Sequence, residues 1–215
     1  MSISPRTLTN LTERGLIPSA EHIIRTYRSA TDEQMSEGMH WYQDAHSLAL
    51  ALDPSNPLRA AGVIAALSPM TPWERNKSLA VLAYADGVST GNTNMACGKA
   101  NRILAGEDVA TVLNAPKTTA FAQTIADPTD AHAVVVDRHA MSVAIGRCSM
   151  DEDTKALSLK GVYDLYADAY REAARRIGVA PSVVQAVTWV VWRQTSIRTS
   201  GAVKREAVAN GHRNA

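Results

Sequence analysis

The stretch from Ser182 to Gln194, opened by Pro181, is apolar around most of its circumference, and a helix of that kind has no face to offer to water. It belongs at the centre of a fold, with other helices packed around it. Gln185, Trp189, Arg193 and Gln194 are its polar or amphipathic exceptions, so Gln185 and Arg193 are the positions expected to face a cleft. The rest of the chain supplies helical partners: alanine is abundant, phenylalanine occurs once, and β-branched residues are scattered instead of alternating, which favours helix over strand. An all-α fold is the expectation. With 215 residues, 46% of them apolar and 20% charged, the chain holds a sizeable core. It reads as a compact helical domain over residues 1–200, either single or two-lobed with a cleft, followed by a basic tail over 201–215.

Local signals divide that domain. A first helix starts near Ser19, after the Gly15-Leu16-Ile17-Pro18 break, and a second at Thr31, where Gln34 completes a capping box. The second runs to Leu52 with Gly38 as its weak point. Trp41, Ala45, Leu48, Ala49 and Leu52 form one core stripe along it, and Trp41-Tyr42 has base stacking as its alternative role. Asp53-Pro54-Ser55-Asn56-Pro57 is a turn before a short buried helix, Leu58 to Leu67. Thr71 as N-cap, Pro72 at the first helical position and Glu74 as reciprocal cap then predict the next helix start, a structural role for Glu74 that competes with a catalytic one. Another helix is expected from Lys99 to Leu104. Val109 to Asn114 and Thr118 to Ile125 read as helices around Ala115-Pro116-Lys117. An amphipathic helix over Val162 to Ile177 ends at Gly178, with Leu165, Tyr166, Ala169, Tyr170 and Ala173 on one face.

Two charged residues stand out for chemistry. Ala133-Val134-Val135-Val136 demands burial and ends in Asp137, so this carboxylate emerges where a buried segment turns outward. Lys117 lies upstream, in Leu113-Asn114-Ala115-Pro116-Lys117-Thr118. A lysine amine near an aspartate can be a nucleophile whose proton the carboxylate removes, or half of an ordinary ion pair. Asp137 also precedes Arg138-His139-Ala140-Met141 as a good N-cap, either alone or together with a catalytic role. His139 is one of six histidines without a matching ligand set, so packing is its default and no metal is expected.

Lys117 and Asp137, taken in order with Ile64-Ala65-Ala66-Leu67-Ser68-Pro69 through Asn76-Lys77, Gly98-Lys99-Ala100-Asn101-Arg102-Ile103-Leu104 and Val187-Thr188-Trp189-Val190-Val191-Trp192-Arg193, resemble the helix-hairpin-helix DNA glycosylase superfamily. Its endonuclease III-like members place a catalytic lysine just after a hairpin and a catalytic aspartate in a Val-Asp-x-His context. The resemblance covers roughly residues 58–200. It implies a two-lobed helical fold, Lys117 and Asp137 as catalytic residues, and a base flipped into a pocket between the lobes. The junction Ser68 to Trp73 would lie beside that pocket, with Ser68, Met70, Trp73, Gln185 and Arg193 as substrate-binding residues and Lys99, Arg198, Lys204 and Arg205 as DNA contacts. The implied function is a DNA N-glycosylase, with or without lyase activity. The resemblance extends to phage-type enzymes thought to derive from glycosylases, which elaborate a thymine-type base without excising it. A noncatalytic nucleic-acid- or protein-binding helical protein is the remaining alternative. The hairpin departs from the superfamily: Asn114-Ala115-Pro116 replaces the usual Gly-Val-Gly, and proline brings no N–H to a phosphate nest.

Bulk features limit the other classes. A formal net charge of +1 argues against a nonspecific nucleic-acid coat, although the segment from Arg193 onward is locally basic. Cys97 and Cys148 cannot supply the four thiolates of the iron-sulfur cluster that several endonuclease III relatives carry, so no cluster and no other cofactor is expected. Arg6, Glu13 and Arg14 interrupt any leader-like apolar stretch, and no long apolar run is present, so a cytoplasmic setting without a membrane span is expected, the host cytoplasm if the chain is phage-encoded. Walker, dinucleotide-binding, HExxH and paired CxxC signatures are absent.

Overall fold

A computed structural model describes residues 3–195. The helices are α1 (Pro5–Glu13), α2 (Ala20–Arg28), α3 (Asp32–Leu52), α4 (Pro57–Leu67), α5 (Trp73–Asp86), α6 (Asn94–Leu104), α7 (Val109–Leu113), α8 (Pro116–Ala126), α9 (Arg138–Ile145), α10 (Asp151–Thr154) and α11 (Val162–Ile177). A twelfth helix, α12, covers residues 181–195, where the described residues end. No strand occurs among the described residues, so the fold is all-α.

Side-chain caps set most helix starts. Ser4, Ser19, Thr31, Asn56, Thr93, Asp108 and Asp137 each accept a backbone N–H from the first turn of the helix they precede, which satisfies one of the orphan donors there. At Thr31 the box with Gln34 is complete in both directions. The box expected at Thr71 and Glu74 does not form. Helix α5 starts at Trp73 with Pro72 as its uncapped N-cap, because the Thr71 hydroxyl donates to the Pro69 carbonyl and accepts from Asn92. Glu74 pairs with Lys77 at 2.9 Å on the surface. Two further boundaries differ from expectation. Helix α1 precedes the Ser19 start, and α6 opens at Asn94 behind its Thr93 cap, ahead of Lys99.

Helix α4 is buried from Ala60 to Leu67 and packs against α3, α5, α6, α7 and α8. One of its sides joins Leu79, Ile103, Val112 and Leu113 in a cluster with Val63 and Leu67. The other, through Ala60, Ala61 and Ile64, meets Tyr42, Ala45, Ala49 and Ile125. A third cluster gathers Leu11, Leu16, Ile23 and Ile24 from the first part of the chain with Met141, Val143, Tyr166, Tyr170 and Val184 from the last.

The run Ala133 to Val136 lies between these clusters as buried extended chain. Alternation of side chains along extended backbone sends Val134 and Val136 into the third cluster and Val135 into the second. With no neighbouring strand, its backbone polar groups need other partners. The Tyr163 hydroxyl supplies two, donating to the Val134 carbonyl at 2.9 Å and accepting from the Val136 N–H at 3.0 Å.

Gly38 is not a weak point. It is the closest approach of α3 to α12: a Cβ built there would lie 2.5 Å from the Val187 Cα. Only a bare backbone lets the two helices meet at this distance. The contact explains how α12, expected at the centre, holds its place, with Val184, Val187, Thr188 and Val190 fully buried.

Candidate functional site

Asp137 ends the extended run and caps α9, with backbone angles φ −101 and ψ −173. One carboxylate oxygen, Oδ1, accepts the Ala140 N–H at 2.8 Å. The other, Oδ2, accepts the Trp189 indole N–H at 3.0 Å. The carboxylate is half-buried at the positive end of a helix dipole, where negative charge is favoured. Each oxygen retains a lone-pair direction for a ligand.

Trp189 itself has two ring contacts. His139 meets its ring edge to face, centroids 6.0 Å apart, and the Arg193 guanidinium carbon stands 4.5 Å from its ring centroid, a stacking geometry that favours the cation. Arg193 reaches Glu37 at 3.5 Å, and its Nε is enclosed without a partner. Glu37 also accepts from Gln194, whose own oxygen accepts from Gln34. At the other end of the same helix pair, the Tyr42 hydroxyl donates to Gln185 Oε1 at 2.8 Å. Gln34, Gly38 and Tyr42 on α3 recur every four residues, as do Gln185, Trp189 and Arg193 on α12, so each set lines one helical face. The two sets touch where Tyr42 meets Gln185, while Gln34 and Gly38 meet Gln194 and Val187 on another side of α12.

An aromatic group continues from Tyr42. Trp41 contacts Tyr42 at 4.7 Å, Trp73 at 5.0 Å and Phe121 at 5.9 Å between centroids, and Phe121 also meets Tyr42. Burial pushes the Tyr42 hydroxyl well above its ordinary range, with the Asp137 charge adding to the effect. Lys77 lies over the outer ring, Trp73, at 6.0 Å.

Lys117 is the second residue of α8, after Pro116. It is exposed and forms no ion pair or hydrogen bond among the described residues, with Asp137 or any other group. Lys117 and Phe121 share a face of α8 by their spacing of four, and Phe121 touches Tyr42. No contact among the described residues joins Lys117 to Asp137. The hairpin before it achieves its turn without glycine: Asn114 adopts φ 42, a left-handed conformation that asparagine tolerates better than most residues.

Only some of the other residues singled out by sequence join this site. Trp73, Gln185 and Arg193 belong to the aromatic and α3/α12 group described above. Ser68 caps the end of α4, its hydroxyl donating to the Ala65 carbonyl. Met70 is fully exposed with φ 58, and Lys99 directs its amine at the Leu113 carbonyl, 3.4 Å away, where α7 ends. Arg198, Lys204, Arg205 and the 201–215 tail lie outside the described residues. Glu37 is the member that sequence reasoning does not name, while Tyr42 reads as packing or base stacking and Trp189 as an amphipathic exception on the central helix. Spacing by multiples of four from Gln34 and from Gln185 is the available signal for Tyr42 and Trp189, and Glu37 has none.

Among the described residues, no group of three or more histidine, cysteine, aspartate or glutamate side chains is placed to hold a metal, Cys97 and Cys148 are free thiols, and no helix is long and apolar enough to cross a membrane. No curated protein and no solved structure matches the chain. A family model does match residues 6–196, nearly the whole described fold around Asp137 and Lys117, and the chain therefore belongs to that family, described as Family of unknown function (DUF7178).

Proposed function

We propose that the protein acts on a base in DNA, as an N-glycosylase built on a two-lobed scaffold of the helix-hairpin-helix glycosylase type. The observation that carries this reading is the Asp137 carboxylate. It is fixed by a helix N-terminus and by the Trp189 indole, next to an aromatic group of the kind that stacks on an everted base. In the reaction, the bond between C1′ and the base nitrogen breaks, and positive charge develops on the sugar. Asp137 stabilises that charge and takes the proton of the attacking nucleophile.

Two nucleophiles fit. Water gives a free base and an abasic site. The Lys117 amine gives a covalent sugar adduct that collapses to an imine, but lysine nucleophiles depend on desolvation, and the free protein leaves Lys117 in water. Bound DNA would have to bury it. That exposure supports a second reading, in which the glycosidic bond survives, Lys117 contacts a phosphate, and the everted thymine-type base is elaborated.

One experiment separates the possibilities. The protein is incubated with duplexes carrying different modified bases. One portion is reduced with borohydride, and another is digested to nucleosides for mass analysis. A trapped adduct supports lysine attack, a lost base without adduct supports water attack, and a mass gain on an intact nucleoside supports elaboration. DNA retained with no change on any substrate overturns the enzymatic reading in favour of a binding protein.

A further inference from the structure

Gln185 is 5% exposed, and its side-chain oxygen receives the Tyr42 hydroxyl hydrogen at 2.8 Å. Tyr42 is equally enclosed, and a buried hydroxyl hydrogen needs an acceptor. Burial, helped by the Asp137 charge, keeps that hydroxyl protonated across the ordinary pH range. The phenol therefore fixes which way the amide faces: oxygen toward Tyr42, nitrogen away from it.

The nitrogen then has no partner within the protein. Gln185 makes no side-chain hydrogen bond other than the one from Tyr42, which leaves two amide hydrogens idle on a side chain that is nine-tenths buried. That nitrogen is not one of the fully enclosed atoms without a partner, so it is the accessible donor edge of an otherwise buried side chain, open to a molecule that arrives from outside. Gln185 also stands one helical turn from Trp189, the residue that holds Asp137.

We propose that Gln185 reads the hydrogen-bonding edge of the base handled at this site, and that the site selects bases with a lactam edge, a ring N–H beside a carbonyl, as in uracil, thymine and guanine. This rests on the proposed function and specifies its substrate class. The amide nitrogen donates to the base carbonyl, and the second lone pair of Oε1 accepts the ring N–H. Cytosine and adenine present an amino group beside a bare ring nitrogen. Pairing with them requires the amide to turn over, which would set its N–H₂ against the Tyr42 hydrogen. Tyr42 is thus a positioning residue for specificity, acting through Gln185.

The test uses short labelled duplexes with a single U, T, G, C or A opposite an abasic analogue, so that the central base is unpaired and free to evert. Binding is read by fluorescence anisotropy. The wild-type protein is expected to bind the U, T and G duplexes on the order of tenfold tighter than the C and A duplexes. Gln185→Glu keeps an oxygen for Tyr42 but removes the donor, and is expected to abolish or reverse the preference. Tyr42→Phe frees the amide to turn and is expected to flatten the preference while retaining binding. Equal wild-type affinity for all five bases, a preference for C and A, or an unchanged preference in a folded variant overturns the inference and leaves DNA binding standing. Failure to bind any duplex overturns the proposed function with it. Circular dichroism establishes that the variants fold. If neither does, the wild-type series still decides.

Discussion

The surroundings of Asp137 and of Lys117 differ in kind. Asp137 sits where α9, α12 and the extended run converge, with both oxygens engaged and the residues behind it tied down: Trp189 by His139 and Arg193, Arg193 by Glu37, α12 against α3 at Gly38. Lys117 projects from the first turn of α8 into water with no partner. A carboxylate whose geometry is fixed in advance suits charge stabilisation, which depends on preorganisation. A free amine suits contact with something that arrives. The two residues are therefore expected to respond oppositely to substitution, one through stability and the other through binding.

The sharpest way to break this contrast is at the helix crossing. Gly38→Ala forces a Cβ into the Val187 backbone, where no rotamer change relieves the clash. It should cost about 3 kcal/mol of stability, seen in urea unfolding, and should shift Trp189 fluorescence as α12 moves. Wild-type stability in this variant would mean that α3 and α12 are not held as described.

Next in size is the carboxylate itself. Asp137→Ala removes the α9 cap and leaves the Trp189 indole N–H unmatched, an expected loss of about 2 kcal/mol. Asp137→Asn keeps an oxygen for one of the two donors and should cost less, yet still abolish turnover on any substrate found. An Asn variant with full turnover would remove Asp137 from the chemistry.

A third substitution tests whether charge burial away from the site contributes comparably. Asp153 is 3% exposed between Arg14 and Arg147. Burial pushes its carboxyl upward, but the Met150 N–H and the two arginines outweigh it, and the group titrates below its usual range. Because the folded value is depressed, this stabilisation is complete above the unfolded value of about 4 and is lost as pH falls through the folded value. Asp153→Asn should therefore cost roughly 1–2 kcal/mol at pH 7, the partly exposed arginines limiting the effect, and the gap to wild type should close toward pH 3. A gap independent of pH would show that charge is not its source.

Lys117→Ala should give the smallest effect on stability, within about 0.5 kcal/mol. Its consequence should appear in the salt dependence of DNA affinity, where the slope falls by about 1 if the amine meets a phosphate. A destabilised Lys117→Ala protein would contradict the exposure described.

Features set by neighbours in sequence were legible from the chain. The Thr31 and Gln34 box, the Asp137 cap, the split around Ala115-Pro116 and the buried stripe of α11 each depend on residues within one or two helical turns. What eluded sequence reasoning depends on residues brought together by folding. Thr71 has the right spacing for a cap, but its hydroxyl is taken by Pro69 and by Asn92 from a distant loop. Gly38 reads as a helix weakness until Val187 is placed against it. Tyr42 reads as core, and its partner Gln185 lies 143 positions away.

The third hydrophobic cluster has a consequence for how the chain reaches this state. It joins Leu11 to Ile24 with Val134 to Val184, fastened by Tyr166 donating to the Leu16 carbonyl across 150 positions. The cluster around α4 draws on nearer neighbours, from Val63 to Ala122. Contacts between remote segments form slowly because loop closure precedes any gain. On the ribosome, α4 and its neighbours can therefore condense early, while the first two helices wait, partly unsheltered, until α11 emerges. In pulse-labelled hydrogen exchange, amides of α4 and α6 should gain protection before those of α2.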